Sequence, residues 1–362
     1  MEAVKEFIRN SLEFLFEKAQ IGRSQFSVVF PHFNRTLFPV YRSVIRNGGK
    51  VLFLPAFRQV NFDWRCFDLQ EEEQKLRAIC DNYLGFFKVS GGNFYVVDRQ
   101  PRHSLSCLAA LRAAKESGLV TIYLDHGSTG IYQDWLIWDK LLNFDYSYFD
   151  DFDMRRYALA LVRGMGENRR PVADIKEWIR PRPRKRKESK KRIILFAPAF
   201  YCNDRWVRLY PDTLRFRHRK ALLPIFQRLS KEANIQVIWK AFPKGDDAYD
   251  PIGEVIREEF PGIKYRIHGF DRLLSRCSWF VTDCISTGIY DAVQLGIPSL
   301  CVCYRKAEPV REEVAERFGN SIFRFDAIME VEDVLRGFIE NDSWPVPVIE
   351  HRSDPFPWEE WK

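Results

Sequence analysis

The sequence predicts an α/β protein of two doubly wound halves. Three observations carry that expectation. The chain has 362 residues, two to three times the commonest domain size. Short, wholly apolar runs alternate with helical patterns in each half, as in parallel sheets covered on both faces. One strongly basic segment, residues 180–192, separates the two series. The expected organisation is residues 1–179, a basic linker at 180–192, a second α/β domain at 193–341, and a Pro- and Trp-rich tail at 342–362.

The composition sets the bounds. With 46% hydrophobic and 29% charged residues, the chain can bury a large core, which excludes disordered, collagen-like and disulfide-stapled classes. Mean hydropathy is −0.32, and no run of eighteen uncharged apolar residues occurs, so no membrane-spanning helix is expected. The first twenty residues alternate acids and apolar residues at helical spacing and lack a signal-peptide pattern, which predicts an amphipathic helix and a cytoplasmic protein.

In the first half, strands are expected at residues 26–30, 50–55, 93–97 and 119–124. Helices are expected from Thr36 to Arg46, Leu69 to Tyr83, Ser104 to Glu116 and Arg155 to Arg163. In the second half, the strands are 193–198, 235–239, 265–268, 279–282, 298–303 and 321–325. Between them come helices from Asp212 to Lys231, Pro251 to Phe260, Asp271 to Arg276 and Thr287 to Leu295, with one more after each of the last two strands. The tail carries four prolines and three tryptophans, which predicts an irregular segment packed on a domain surface.

Net charge is +7, but residues 180–192 hold nine Lys or Arg and one Glu, so the other 349 residues sum to −1. That distribution argues against a nucleic-acid-binding face. The segment fits a solvated linker or a contact with an anionic membrane surface. Eight scattered cysteines without a CxxC pair predict reduced, buried thiols, and the six histidines show no metal-ligand spacing.

The segment with most chemical content is TDCISTGIYDAVQLGIPSL, residues 282–300. A buried strand ends at Thr282–Asp283, a small polar loop turns, and a helix begins. Free amides at that helix start, with the Ser286 and Thr287 hydroxyls, suit a phosphate or diphosphate. An ordinary helix cap uses the same residues. This stretch resembles the donor-binding signature of GT-B glycosyltransferase-type enzymes. It is similar in particular to glycerophosphotransferase-like and polysialyltransferase-like families and to UDP-N-acetylglucosamine 2-epimerases. The resemblance covers mainly residues 193–341. It implies two Rossmann-like domains facing across a cleft. Ser286, Thr287 and Gly288 would meet the donor phosphates, Asp291 the ribose hydroxyls, and Asp283 would orient the loop.

Asp125-His126-Gly127 follows the strand at 119–124. In the glycerophosphotransferase-like families a His-Gly at the corresponding strand end is a candidate base, so the resemblance implies His126 as catalytic. A neutral imidazole could take a proton from an attacking hydroxyl, with Asp125 fixing its tautomer. A polar turn is the alternative. The relatives carry Lys-x-His-Pro after the second strand of the nucleotide domain, whereas this chain has Lys240-Ala241-Phe242-Pro243. Lys240 or Lys244 could still supply charge to a departing diphosphate. His268-Gly269-Phe270 could stack on or bond to the base, or simply form a turn.

The function so implied is transfer of a glycosyl or polyol-phosphate group from a nucleotide-sugar or CDP-activated donor to a glycan or lipid-linked acceptor in surface-polysaccharide assembly. No metal or other cofactor is expected. The alternatives are a sugar-nucleotide 2-epimerase and an inactive binding module, the latter argued from Phe242.

Overall fold

A computed structural model describes residues 24–34, 37–54, 69–98, 104–125, 134–149, 152–165, 172–178, 186–187, 189, 192–198, 212–231, 235–241, 252–305, 310–341, 344–347 and 353–360. These form two compact units. The first holds the described residues up to 178 together with 353–360, and the second holds residues 186–347. The helix expected in the first twenty residues lies outside the described residues.

The first unit runs β1 (Phe26–Phe30), α1 (Phe38–Arg46), β2 (Gly49–Phe53), α2 (Leu69–Ser90), β3 (Phe94–Val97), α3 (Leu105–Glu116), β4 (Val120–Leu124), α4 (Asp134–Asn143), β5 (Tyr146–Phe149), α5 (Phe152–Arg163) and β6 (Asp174–Glu177). All six strands are parallel, in the order β2-β1-β3-β4-β5-β6. Every residue of β1 is buried, as a strand covered on both faces requires. At the head of β2, a Cβ on Gly49 would sit 2.2 Å from the Phe26 ring, so the close approach of the two strands depends on glycine. Ser104 caps α3 by accepting a hydrogen bond from Cys107 N at 3.1 Å.

Three elements here were not expected from the sequence. Ser147 hid β5: a hydroxyl inside a short aromatic run breaks the apolar pattern, yet it is buried and donates to the Lys140 carbonyl at 2.7 Å. The acidic and basic residues of DIKE hid β6, an edge strand whose Glu177 is buried beside Arg155 at 3.6 Å. The third is α4. In addition α2 continues past Tyr83 to Ser90; Gly85 falls where a side chain would meet open space, and Phe87 anchors the last turns in the core.

The second unit runs β7 (Arg192–Phe196), α6 (Asp212–Lys231), β8 (Ile235–Lys240), α7 (Ile252–Glu259), β9 (Ile263–Arg266), α8 (Phe270–Leu274), β10 (Trp279–Thr282), α9 (Thr287–Gln294), β11 (Ser299–Tyr304), α10 (Glu312–Phe318), β12 (Ile322–Phe325) and α11 (Met329–Glu340). Its parallel sheet has the order β12-β11-β10-β7-β8-β9. Counted within the unit this is 3-2-1-4-5-6 read from the other edge, the doubly wound order of dinucleotide-binding domains. Phe196, Phe226 and Trp239 form the aromatic centre of its core. The strand expected at 265–268 lies instead at 263–266. It starts at buried Ile263, directly after the Pro261-Gly262 turn, and alternates exposed and covered residues as an edge strand does.

Two expectations about connecting segments change. At its described residues 186–187 the basic segment is tied to the second unit: Lys187 N donates to Ser275 O at 2.7 Å and Arg186 Nη1 to Gly296 O at 3.1 Å. The tail does more than lie on a surface. Phe356 and Trp358 stack at 4.6 Å and sit in the core of the first unit against Tyr148, Trp178 and Phe94. The Tyr148 hydroxyl donates to Pro355 O at 2.6 Å, Glu177 and Asp354 exchange bonds, and the Trp358 indole donates to Ser43 Oγ at 3.1 Å.

Candidate functional site

In open α/β sheets, ligands bind beyond the carboxyl ends of the strands where the strand order reverses. In the second unit that point lies between β7 and β10. The two strand ends are joined there: Ala197 N donates to Val281 O at 2.9 Å, and the Thr282 hydroxyl donates to Ala197 O at 2.8 Å. The next residues, Asp283 to Ser286, lead directly into α9. The topology therefore puts the loop singled out in the sequence at the expected ligand position of this sheet.

Ser286 is the N-cap residue of α9, with extended backbone, but its side chain makes no capping hydrogen bond. No acid stands in the first turn to compensate the helix dipole. The capping alternative for Ser286 is thus not what the geometry contains. At Gly288 a Cβ would meet the Phe280 ring at 3.0 Å and the Phe270 ring at 3.4 Å. Phe270 and Phe280 are themselves edge-on at 6.2 Å. The His268-Gly269-Phe270 turn and the Ser286–Gly288 loop are therefore neighbours. Gly269 has φ +80 and begins α8, and His268 is exposed. Asp291, five residues into α9, is 6% exposed.

Lys240 ends β8 and is buried, with Nζ donating to the carbonyl of Ala241. Burial lowers its pKa to about 8. Phe242 and Lys244 lie outside the described residues.

Sequence reasoning missed the α6 residues that support this loop. Arg219 Nε donates to Asp283 Oδ2 at 2.6 Å, with the two residues 1% and 3% exposed. Beside it, the His218 ring packs on Phe325 at 4.8 Å and Tyr304 at 5.7 Å, and burial lowers its pKa to about 4. The signal was obscured because RFRHRK looks like a solvated basic helix face.

After β4 of the first unit, His126 and Gly127 lie outside the described residues. Asp125 is described. Its carboxylate accepts a hydrogen bond from Lys140 Nζ at 3.0 Å, and both side chains are buried. The order reversal of this sheet falls between β1 and β3, and there Asn34 Nδ2 donates to buried Asp98. Neither residue belongs to a recognisable motif, and only the sheet order brings them together. Among the described residues, no group of three or more His, Cys, Asp or Glu is placed to hold a metal ion. The six described cysteines are buried and unbridged.

A model of the LIC12162 family transferase matches residues 167–320, a span that contains Lys240, the His268 turn and the loop from Asp283 to Asp291. No curated protein matches the chain by sequence. Among solved structures, the chain is similar to S. aureus MnaA in a co-structure with UDP, at 10% identity, covering 88% of this chain and 89% of that one, with a TM-score of 0.53. It is similar to UDP-GlcNAc 2-epimerase from Neisseria meningitidis bound to UDP-GlcNAc, at 11% identity, 87% and 91% coverage, and a TM-score of 0.53. The 2-epimerase from Methanocaldococcus jannaschii gives 11%, 89% and 95% coverage, and 0.53.

The fold is GT-B. Each of its two Rossmann-like units is a six-stranded parallel sheet with flanking helices, and the matches span both units. The family match lies mainly within the second half of the chain, and the solved structures share the fold. Among the described residues, no helix is long and apolar enough to cross a membrane.

Proposed function

We propose that the chain is a transferase that takes a glycosyl or polyol-phosphate group from a nucleoside-diphosphate-type donor held at the start of α9. The observation that carries this reading is Ser286: it opens α9 at the order reversal of the second sheet and leaves its own helix uncapped by its side chain. The Ser286 and Thr287 hydroxyls and the first amides of α9 bind the diphosphate. Lys240 adds positive charge while protonated, and Asp291 receives the ribose hydroxyls. The Phe270 ring, against Gly288, lies beside the base. His126 acts as the base that takes the acceptor proton. The acceptor is a glycan or lipid-linked glycan, and residues 180–192 supply a peripheral contact with an anionic membrane surface on the cytoplasmic side.

UDP is the first nucleotide to test, because MnaA and the N. meningitidis epimerase were solved with UDP and UDP-GlcNAc. Calorimetric titration with UDP, CDP, GDP and CMP should give binding by at least one. Ser286→Ala with Thr287→Ala should weaken it by about 1–3 kcal/mol. His126→Ala should leave that binding intact and lower turnover by about 10²–10⁴-fold. A wild-type protein that binds none of the four ends this reading. The epimerase neighbours favour a second reading, 2-epimerisation of a UDP-sugar, which predicts isomerised UDP-GlcNAc when no acceptor is present.

A further inference from the structure

We propose that Arg219 is a positioning residue of the donor site, holding the loop before α9 in place while cancelling the charge of the carboxylate that anchors it. The inference rests on the donor-site reading above. Asp283 leaves β10 immediately after Thr282 and stands three residues before Ser286. Its carboxylate is 3% exposed and is held at 2.6 Å by the Arg219 guanidinium, which is 1% exposed. Arg219 in turn is set in a helix whose next turns are fixed in the core by Leu222, Leu223 and Phe226, each fully buried. The loop is thus anchored at both ends of Thr282-Asp283: by the Thr282 hydroxyl on Ala197, and by Asp283 on α6.

An anchor of this kind has an electrostatic cost. A buried carboxylate so close in sequence to the start of α9 would repel a diphosphate there, and burial weakens the screening that water provides. Arg219 removes that repulsion. Its neighbour His218 is neutral at pH 7 beside Arg219, because burial lowers its pKa to about 4. The chemical class served is a nucleoside diphosphate or its pyrophosphate portion, whose charge is what the pair must tolerate.

The test compares wild type, Arg219→Gln, and Arg219→Gln with Asp283→Asn, using UDP and inorganic pyrophosphate as probes and a melting curve as the check of folding. Arg219→Gln keeps a donor for Asp283 but loses the charge, and it should weaken both probes by about tenfold or more. Adding Asp283→Asn should restore UDP affinity to within about threefold of wild type, since the buried negative charge is then gone as well. Unchanged UDP affinity in Arg219→Gln overturns the proposal. So does a folded double variant as weak as the single one, because a packing role would not be rescued by removing the carboxylate. Should Arg219→Gln alone not fold, the double variant carries the test by the same threefold criterion. Wild-type protein that binds none of UDP, CDP, GDP or CMP defeats the donor-site reading itself, a result distinct from either of these.

Discussion

Lys140 Nζ lies 3.0 Å from Asp125 Oδ2, with the two side chains only 6% and 7% exposed. The ammonium also faces the rings of Tyr123 at 5.2 Å and Phe149 at 5.6 Å. An ion pair this deep sits at the carboxyl end of β4, one residue before His126. Removing one partner leaves an uncompensated charge in the core, which costs about 3–5 kcal/mol. Lys140→Met should therefore lower the denaturation midpoint strongly, and Lys140→Met with Asp125→Leu should recover much of the loss. Equal midpoints for wild type and Lys140→Met in urea unfolding would show that the pair is solvated.

His218 predicts the acid limb of the stability curve. Its pKa falls from 6.5 to about 4 on folding. The unfolded chain therefore binds the proton first as pH drops. Stability is full above about 6.5 and is lost as pH falls towards 4, by about 3 kcal/mol at 1.36 kcal/mol per pH unit. His218→Phe, which keeps an aromatic ring against Phe325, should flatten this limb of the unfolding free energy between pH 4 and 6.5.

Lys240 predicts the alkaline behaviour of the donor site. Burial lowers its pKa to about 8, so it is charged below that pH and neutral above it. UDP affinity should fall through pH 8 by about tenfold, the value of a charge-assisted hydrogen bond. Lys240→Met should be weak at pH 7 and show no such step. A wild-type titration curve that is flat from pH 7 to 9 would remove Lys240 from the site.

Trp358 predicts what the tail contributes. It is fully buried, stacks on Phe356 and packs edge-on against Phe94 at 5.7 Å. Trp358→Ala should destabilise the first unit by about 3–5 kcal/mol, the usual cost of emptying an aromatic core position. Hydrogen exchange should then rise in β1 and β3 of the first sheet while the second sheet keeps its protection.

Much of this fold could be read before the structure, because parallel strands buried on both faces are nearly continuous apolar runs. FSVVF and WFVT coincide with β1 and β10 to the residue. Elements at the far edge of the first sheet were lost because burial there is achieved with satisfied polar groups: Ser147 on a carbonyl, and Glu177 beside Arg155. The loop at Ser286 was legible because its residues are consecutive. Its support was not, because Arg219 and Asp283 are 64 residues apart and only the crossover of α6 brings them together. Gly288 illustrates a third case, a packing constraint that the sequence pattern does not reveal. Its missing side chain makes room for two phenylalanine rings.

The docking of residues 353–360 on the first sheet has a consequence for how the protein is made. Ser43 waits for Trp358 and Glu359, and β6 waits for Asp354, across separations of 177 to 316 residues. A ribosome adding 5–20 residues per second needs roughly 10–40 s to pass from the end of the first sheet to Trp358. For that interval the cavity later filled by Phe356 and Trp358 is open on the nascent polypeptide, and the earlier-synthesised unit is the later one to be completed.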